Sequence, residues 1–225
     1  MKNFNYDLLI LGHAIEDKIF VENFEPITKW GGVYNVARSF ISLNKENIFK
    51  LKIEPYIYGE ALIRIDKKNS LKEVIMVNLN KVNKKPNLED ARWFHFCYAN
   101  EAEIPNLTNY SAIKSADLCC GKELKNIDAF DYIFLSDEEH DARKMSKQIK
   151  NTKFISHSPE KICIWQNSKK QYEIVIKNLI KNVNCLGVGD NFAASFIFKK
   201  LNNCTDEFAI NFAKEECEKF LLTNE

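Results

Sequence analysis

Arginine is scarce in this chain: 4 residues stand against 28 lysines. Proteins that read bases or phosphate backbones favour the guanidinium fork, so the scarcity argues against nucleic acid as a partner. An excess of either charge is also missing. With 32 basic and 31 acidic residues the formal net charge is +1, which creates no global field to recruit nucleic acid or an acidic membrane. No apolar run approaches the roughly 18 residues of a membrane span. The first residues, Met1 to Asp7, lack the apolar stretch and cleavage site of a signal peptide. No C-x-x-C pair occurs, and the seven cysteines are odd in number and scattered. That usage is expected of reduced, mostly buried thiols in a cytoplasmic protein rather than of a disulfide frame.

What is present suits an ordinary soluble globular chain. Its 225 residues, 45% hydrophobic and 28% charged, are enough for one large domain over 1–225 with a sizeable core. Tyr6 to Leu11 is a short apolar run ending at Gly12, which predicts a buried strand. Val33, Val36, Ala37, Phe40, Ile41 and Leu43 mark one face of a helix that opens just after Gly31-Gly32. Strands are expected at 53–58, 61–65 and 74–79, the last two joined by a hairpin turn at 67–70. The second half predicts strands at 93–98, 116–120, 132–135, 153–156, 162–166 and 172–176, and a polar helix over 137–150. Helices follow from Asp190 to Leu201 and after Thr205, the latter with a core face of Phe208, Phe212, Cys217, Phe220 and Leu221. Short buried strands interleaved with helices predict an α/β fold with a largely parallel sheet, the hairpin at 61–79 lying outside it.

The most informative stretch is Asn184-Cys185-Leu186-Gly187-Val188-Gly189-Asp190-Asn191-Phe192. Two glycines let the backbone turn tightly and approach a ligand, and a helix begins at once. Successive amides there, with the free N–H groups of the helix start, make a concave anion site. Asp190 lies in the first turn, and phosphoryl transfer needs this pairing of fixed donors with a proton-accepting carboxylate. The helix N-terminus is expected to keep Asp190 ionised and weakly basic. Taken alone, the same letters also describe a helix start in which Asp is favoured by the macrodipole. A dinucleotide fingerprint is excluded because its third glycine is absent, and no P-loop occurs, since Glu123 follows Gly121-Lys122.

Gly187-Val188-Gly189-Asp190 resembles the Gly-Ala-Gly-Asp signature of the ribokinase-like carbohydrate kinases. A second segment, Trp30-Gly31-Gly32-Val33-Tyr34-Asn35-Val36-Ala37-Arg38, resembles that family's sugar-contacting Gly-Gly…Asn-x-Ala run, with a glycine-to-asparagine spacing like the heptose-phosphate kinase branch. Gly12 to Asp17 looks like its strand-end segment whose Asp binds sugar hydroxyls. The resemblance implies a three-layer α/β sandwich with a largely parallel sheet and a small β lid, its strands at about 18–24 and 61–79. It implies an ATP- and Mg²⁺-dependent kinase of a sugar or sugar phosphate. Asp190 would be the base, and the amides of Gly187, Val188 and Gly189 the anion hole. Asp17, Gly31, Gly32 and Asn35 would hold the sugar, with Asn184, Glu139 and Ser156 on the nucleotide and magnesium-phosphate side. No residue is directly predicted as a metal ligand. Relatives often pair through the lid, so a homodimer is implied as well.

The chain departs from the family in three places. Asn184 and Cys185 replace the usual Asp-Thr before the glycines. Ser136-Asp137-Glu138-Glu139 keeps only the Glu of an Asn-x-x-Glu motif, and a capping box accounts for the same letters. Ser156-His157-Ser158-Pro159-Glu160-Lys161 stands where the family has a Thr-x-Gly…Gly nucleotide loop, and Pro159 has no N–H to give. A relative that binds sugar without catalysis is the alternative these losses raise. His95, alternating with Trp93 and Cys97, reads as a packed, hydrogen-bonded histidine rather than a metal ligand.

Overall fold

Leu8, Leu9, Ile10 and Leu11 follow one another without a polar residue, and none of them keeps any exposed surface. An apolar run of this kind belongs to a strand buried on both faces, as in a parallel sheet. The computed structural model describes residues 4–21, 25–66, 68, 71–80, 86–98, 104–118, 126–137 and 141–223. Along them run β1 (Tyr6–Val21), β2 (Ile27–Gly32), α1 (Val33–Leu43), β3 (Leu51–Asp66), β4 (Leu71–Asn80), β5 (Ala91–Cys97), β6 (Ile113–Asp117) and β7 (Tyr132–Ser136). Then come α2 (Ala142–Gln148), β8 (Lys153–His157), β9 (Lys161–Gln166), β10 (Lys169–Val175), α3 (Val188–Leu201) and α4 (Asp206–Thr223). The chain divides into two compact units, and β1 and β3 each begin in the first and end in the second.

The first unit comprises Met1–Gly12, Phe49–Glu54 and Lys85–Leu179. Its strands β1, β5, β6, β7 and β8 pair in parallel, and β9 and β10 extend the sheet antiparallel. The fold is thus α/β with a mostly parallel sheet and an antiparallel margin. Trp93, Phe94, Phe96, Ile133, Phe134, Phe154 and Ile155 fill its core. Gly12 has φ +124, and a Cβ there would lie 2.3 Å from the carbonyl oxygen of Cys97, so only glycine lets β1 pass β5 at this point. His95 is buried and shares the Ser115 hydroxyl with Trp93: Nδ1 lies 2.9 Å from it, and the indole N–H donates to it over 2.7 Å. Burial holds this imidazole down to about 3, so it packs as a neutral ring.

The second unit comprises His13–Ile48, Pro55–Lys84 and Ile180–Glu225. The later part of β1 pairs antiparallel with β2, setting Asp17 opposite Lys29 and Ile15 opposite Gly31. Strands β3 and β4 form a long antiparallel pair. Ile15, Ile19, Ala61, Ile63 and Ile65 make one apolar cluster of this unit. Helix α3 packs against α1 and α4 and is buried almost all round, as a helix with apolar residues on every side must be.

The sequence-based outline needs several corrections. The strands expected at 53–58 and 61–65 are one, because Gly59 lets β3 continue: a Cβ there would lie 2.6 Å from the carbonyl oxygen of Asn78 on the paired strand. Helix α2 is shorter than expected and is capped by Asp141, whose Oδ1 accepts from the N–H of Lys144 over 2.9 Å. Ser136 ends strand β7 and α2 takes Asp141 as its N-cap, so Ser136 is not the N-cap of that helix. Ile41 and Phe208, both assigned to core faces, are 56% and 55% exposed, and α4 buries Ala209, Ile210 and Ala213 instead. Phe212 still reaches α3, where its ring stacks on that of Phe198 with centroids 6.5 Å apart. The turn at 67–70, the end of the expected 116–120 strand and Glu139 lie wholly or partly outside the described residues.

Candidate active site

Strand β2 ends in a glycine pair for two separate steric reasons. A Cβ on Gly31 would lie 2.1 Å from Asp17 Oδ2, so its absence makes room for that carboxyl. Gly32 adopts φ 60 and ψ −125, a conformation closed to ordinary L-residues, and turns the chain directly into α1. Three residues into that helix, Asn35 donates from Nδ2 to Asp190 Oδ2 over 2.8 Å. Arg38, one turn further on, donates from Nη2 to Asn35 Oδ1 and to the carbonyl oxygen of Trp30, the latter over 2.7 Å. The amide of Asn35 is therefore fixed at both ends.

The start of α3 is built by Asn184, whose Oδ1 accepts from the N–H of Leu186 over 3.0 Å, an Asx-type turn into the helix. Gly187 is the N-cap, with φ 84. The N–H of Val188 donates to Cys185 O over 3.2 Å and that of Asn191 to Gly187 O over 2.9 Å. Those of Gly189 and Asp190 have no acceptor among the described residues. Of the amides expected to bind an anion, that of Val188 is therefore engaged within the turn, and the Asp190 amide joins those available. Helix α4 supports the turn from behind: Cys217 Sγ lies 3.5 Å from Val188 O, and its thiol is pushed up by burial, which makes it a packing group.

These elements surround an opening of about 320 Å³, lined by Asp17, Lys29, Asn35, Arg38, Asn184 and Gly187, with Ile19, Leu186 and Phe220 supplying apolar wall. That volume holds a small polyol. Asp17 and Asp190 are 7% and 5% exposed. Burial raises Asp190 to about 6, against the opposing effects of the Asn35 hydrogen bond and of Lys72 and Arg38. Burial raises Asp17 to about 7, reinforced by the charge of Asp190 and opposed by Lys72 and Arg38. Burial thus works against the expectation that the helix start keeps Asp190 weakly basic. The result is a carboxylate whose proton affinity lies near neutrality, where a general base works best.

Among the residues picked from sequence, Asp17, Gly31, Gly32, Asn35, Asn184, Gly187, Val188, Gly189 and Asp190 all lie in the second unit. Ser156 lies in the first. It is fully buried at the end of β8, and its Oγ has no partner among the described residues. The 158–161 turn is closed on itself: Ser158 Oγ accepts from the N–H groups of Glu160 and Lys161 over 3.3 and 3.2 Å, and Ser158 N donates to Lys161 O over 2.9 Å. Lys29, Arg38 and Lys72 were not picked. Arg38 was detectable, because it stands three residues after Asn35 and so shares its helix face. The two lysines needed the strand pairing to be known.

No protein-family model matches the sequence, and comparison with curated proteins gives no match either. Solved structures do resemble it. A probable sugar kinase from Rhizobium etli superposes with a TM-score of 0.71 at 12% identity, over 98% of this chain and 94% of that one. A ribokinase from Cryptococcus neoformans in complex with ADP gives 0.70 at 10% identity, over 100% and 95%. Adenosine kinase from Anopheles gambiae, bound to a di-adenosine tetraphosphate, gives 0.68 at 12% identity, over 95% of each chain. At such identities the likeness establishes a shared fold.

Proposed function

We propose that this protein is a ribokinase-like carbohydrate kinase, moving the γ-phosphoryl group of ATP onto a hydroxyl of a sugar or sugar phosphate with Asp190 as base. The observation that carries the reading is the Asp190 carboxyl, buried, bonded to Asn35 and standing beside helix N–H groups with no described acceptor. Kinases of sugars and adenosine share the fold, one of them holding ADP, which supports ATP as donor. In this reading Asp17, Gly31, Gly32 and Asn35 orient the acceptor, and Asn184 shapes the turn that faces the donor. The acceptor hydroxyl gives its proton to Asp190, while the backbone N–H groups of Gly189 and Asp190 receive the charge gathering on the moving group. ATP with Mg²⁺ supplies the transferable phosphoryl group. The ion would arrive on the phosphates of ATP, held mainly by their oxygens and by water.

Strand β2 and the β3–β4 pair take the part of the lid in the three-layer scheme. On β4, Val74, Ile75, Met76 and Val77 are exposed in succession, so both faces of the strand are bare, and we infer pairing with a second copy there. Light scattering that gives a monomer at micromolar concentration removes this inference. We infer a cytoplasmic location from ATP as the proposed donor and from the five described cysteines, none of which is in a disulfide. The kinase reading is tested by incubating wild type and Asp190→Asn with Mg-ATP and a panel of sugars, sugar phosphates and nucleosides. It fails if no acceptor gives turnover that the substitution abolishes, and binding without turnover marks the protein as a sugar binder.

A further inference from the structure

Several cations of the second unit have a carboxylate partner. Lys18 stands beside Glu60 at 3.7 Å, Arg64 beside Glu73 at 3.9 Å, Lys200 beside Asp206 at 2.7 Å and Lys214 beside Glu218 at 2.7 Å. The cations of the pocket differ. Lys29 lines the opening, and no carboxylate among the described residues lies within ion-pair distance of it. It stands opposite Asp17 in the register of the β1–β2 pair. Arg38 also lines the opening and donates only from Nη2, to two uncharged acceptors, which leaves its Nε and Nη1 hydrogens without a described acceptor. Lys72 is near enough to act on both acids yet forms no ion pair among the described residues.

Two cations, Lys29 and Arg38, and one carboxyl, Asp17, line the opening, so its wall carries more positive than negative charge in a protein whose net charge is only +1. An uncharged sugar has no use for the surplus. A phosphate monoester does, as charge-assisted hydrogen bonds to an anion are about twice as strong as neutral ones.

We propose that the acceptor is itself anionic: a small polyol carrying a phosphate ester, with the ester held by Lys29 and Arg38. The direction in which its free hydroxyl points, toward Asp190, rests on the kinase reading; the anion site does not.

Binding without a donor separates the two. Calorimetry would compare matched pairs (ribose and ribose 5-phosphate, fructose and fructose 6-phosphate, glucose and glucose 6-phosphate) on wild type and Lys29→Met, with inorganic phosphate and Mg-ATP as separate ligands. At least one ester is expected to bind about tenfold more tightly than its neutral twin. Lys29→Met is expected to remove most of that difference and leave the neutral sugar's affinity unchanged. The proposal is overturned if no ester is preferred, or if the preference survives Lys29→Met. It is overturned equally if the substitution weakens only Mg-ATP or inorganic phosphate, which assigns the cations to the donor. Lys29-dependent ester binding with no turnover keeps the anion site and removes the kinase reading. Turnover on neutral sugars alone keeps the kinase reading and removes the anion site.

Discussion

Two turns in this molecule stand where sequence reasoning places phosphate-binding backbone, and they differ in what their amides do. The turn at 158–161 has a proline and no glycine, and its Ser158 hydroxyl accepts the N–H groups of Glu160 and Lys161. The turn at 187–190 leaves the N–H groups of Gly189 and Asp190 without a described acceptor. Each solution is locally sound, because backbone donors must be satisfied from within or from outside. The first turn is complete by itself. The second has donors to offer a ligand, with a buried acid beside them.

The comparison breaks most sharply at Asp190. Asp190→Asn is expected to lower phosphotransfer by about 10²–10⁴-fold, the usual worth of a general base. It should leave the melting temperature undiminished, since it removes a buried charge that repels Asp17. Turnover of the variant near the wild-type rate would return the helix start to a purely structural role.

Two glycine substitutions come next. Gly12→Ala sets a Cβ against the Cys97 carbonyl oxygen in the first unit's sheet and should cost about 3 kcal/mol in chemical denaturation. Gly31→Ala meets the Asp17 carboxyl, which can rotate away, and should cost about 1–2 kcal/mol while abolishing acceptor binding. The reverse order of stability losses would contradict the placement of Asp17 against the glycine.

A smaller effect concerns pH. Both acids hold protons in the folded state up to about 7 for Asp17 and about 6 for Asp190, against 3.8 for the free side chain. Between those values the folded chain binds more protons than the unfolded one, so their contribution to stability falls as pH rises from about 4 to 7. Melting curves across that range should show this slope in wild type and a shallower one in Asp17→Asn. An unchanged slope would mean that Asp17 titrates as an ordinary exposed acid.

The smallest effect belongs to the closed turn. Ser158→Ala leaves two exposed N–H groups to water and should cost about 0.5–1 kcal/mol, with no change in ligand affinity. A loss of Mg-ATP binding in this variant would show that the turn takes part in recognition after all.

What was legible in the letters was whatever is local. Helix α1 runs from Val33 to Leu43 as its periodicity requires, and the two glycine segments bring their acids into one unit. What depends on contact through space was hidden. The passage of β3 through Gly59, the burial that lifts Asp190 and the N–H groups taken by Ser158 all depend on neighbours remote in sequence or on atoms whose direction no composition reveals. Lys29 shows this most plainly: in the sequence it is one of 28 lysines, and only the β1–β2 register sets it opposite Asp17.

The clamped amide of Asn35 has a consequence for where a captured proton can sit. Arg38 holds the carbonyl end, so rotating the group would aim its NH₂ at a cation, and the end facing Asp190 stays a donor. Oδ2 therefore always meets a hydrogen, which occupies one of its two lone pairs. On the proposed base role, Oδ1, which has no hydrogen-bond donor among the described residues, is the oxygen better placed to receive an acceptor's proton, a one-sidedness set from helix α1.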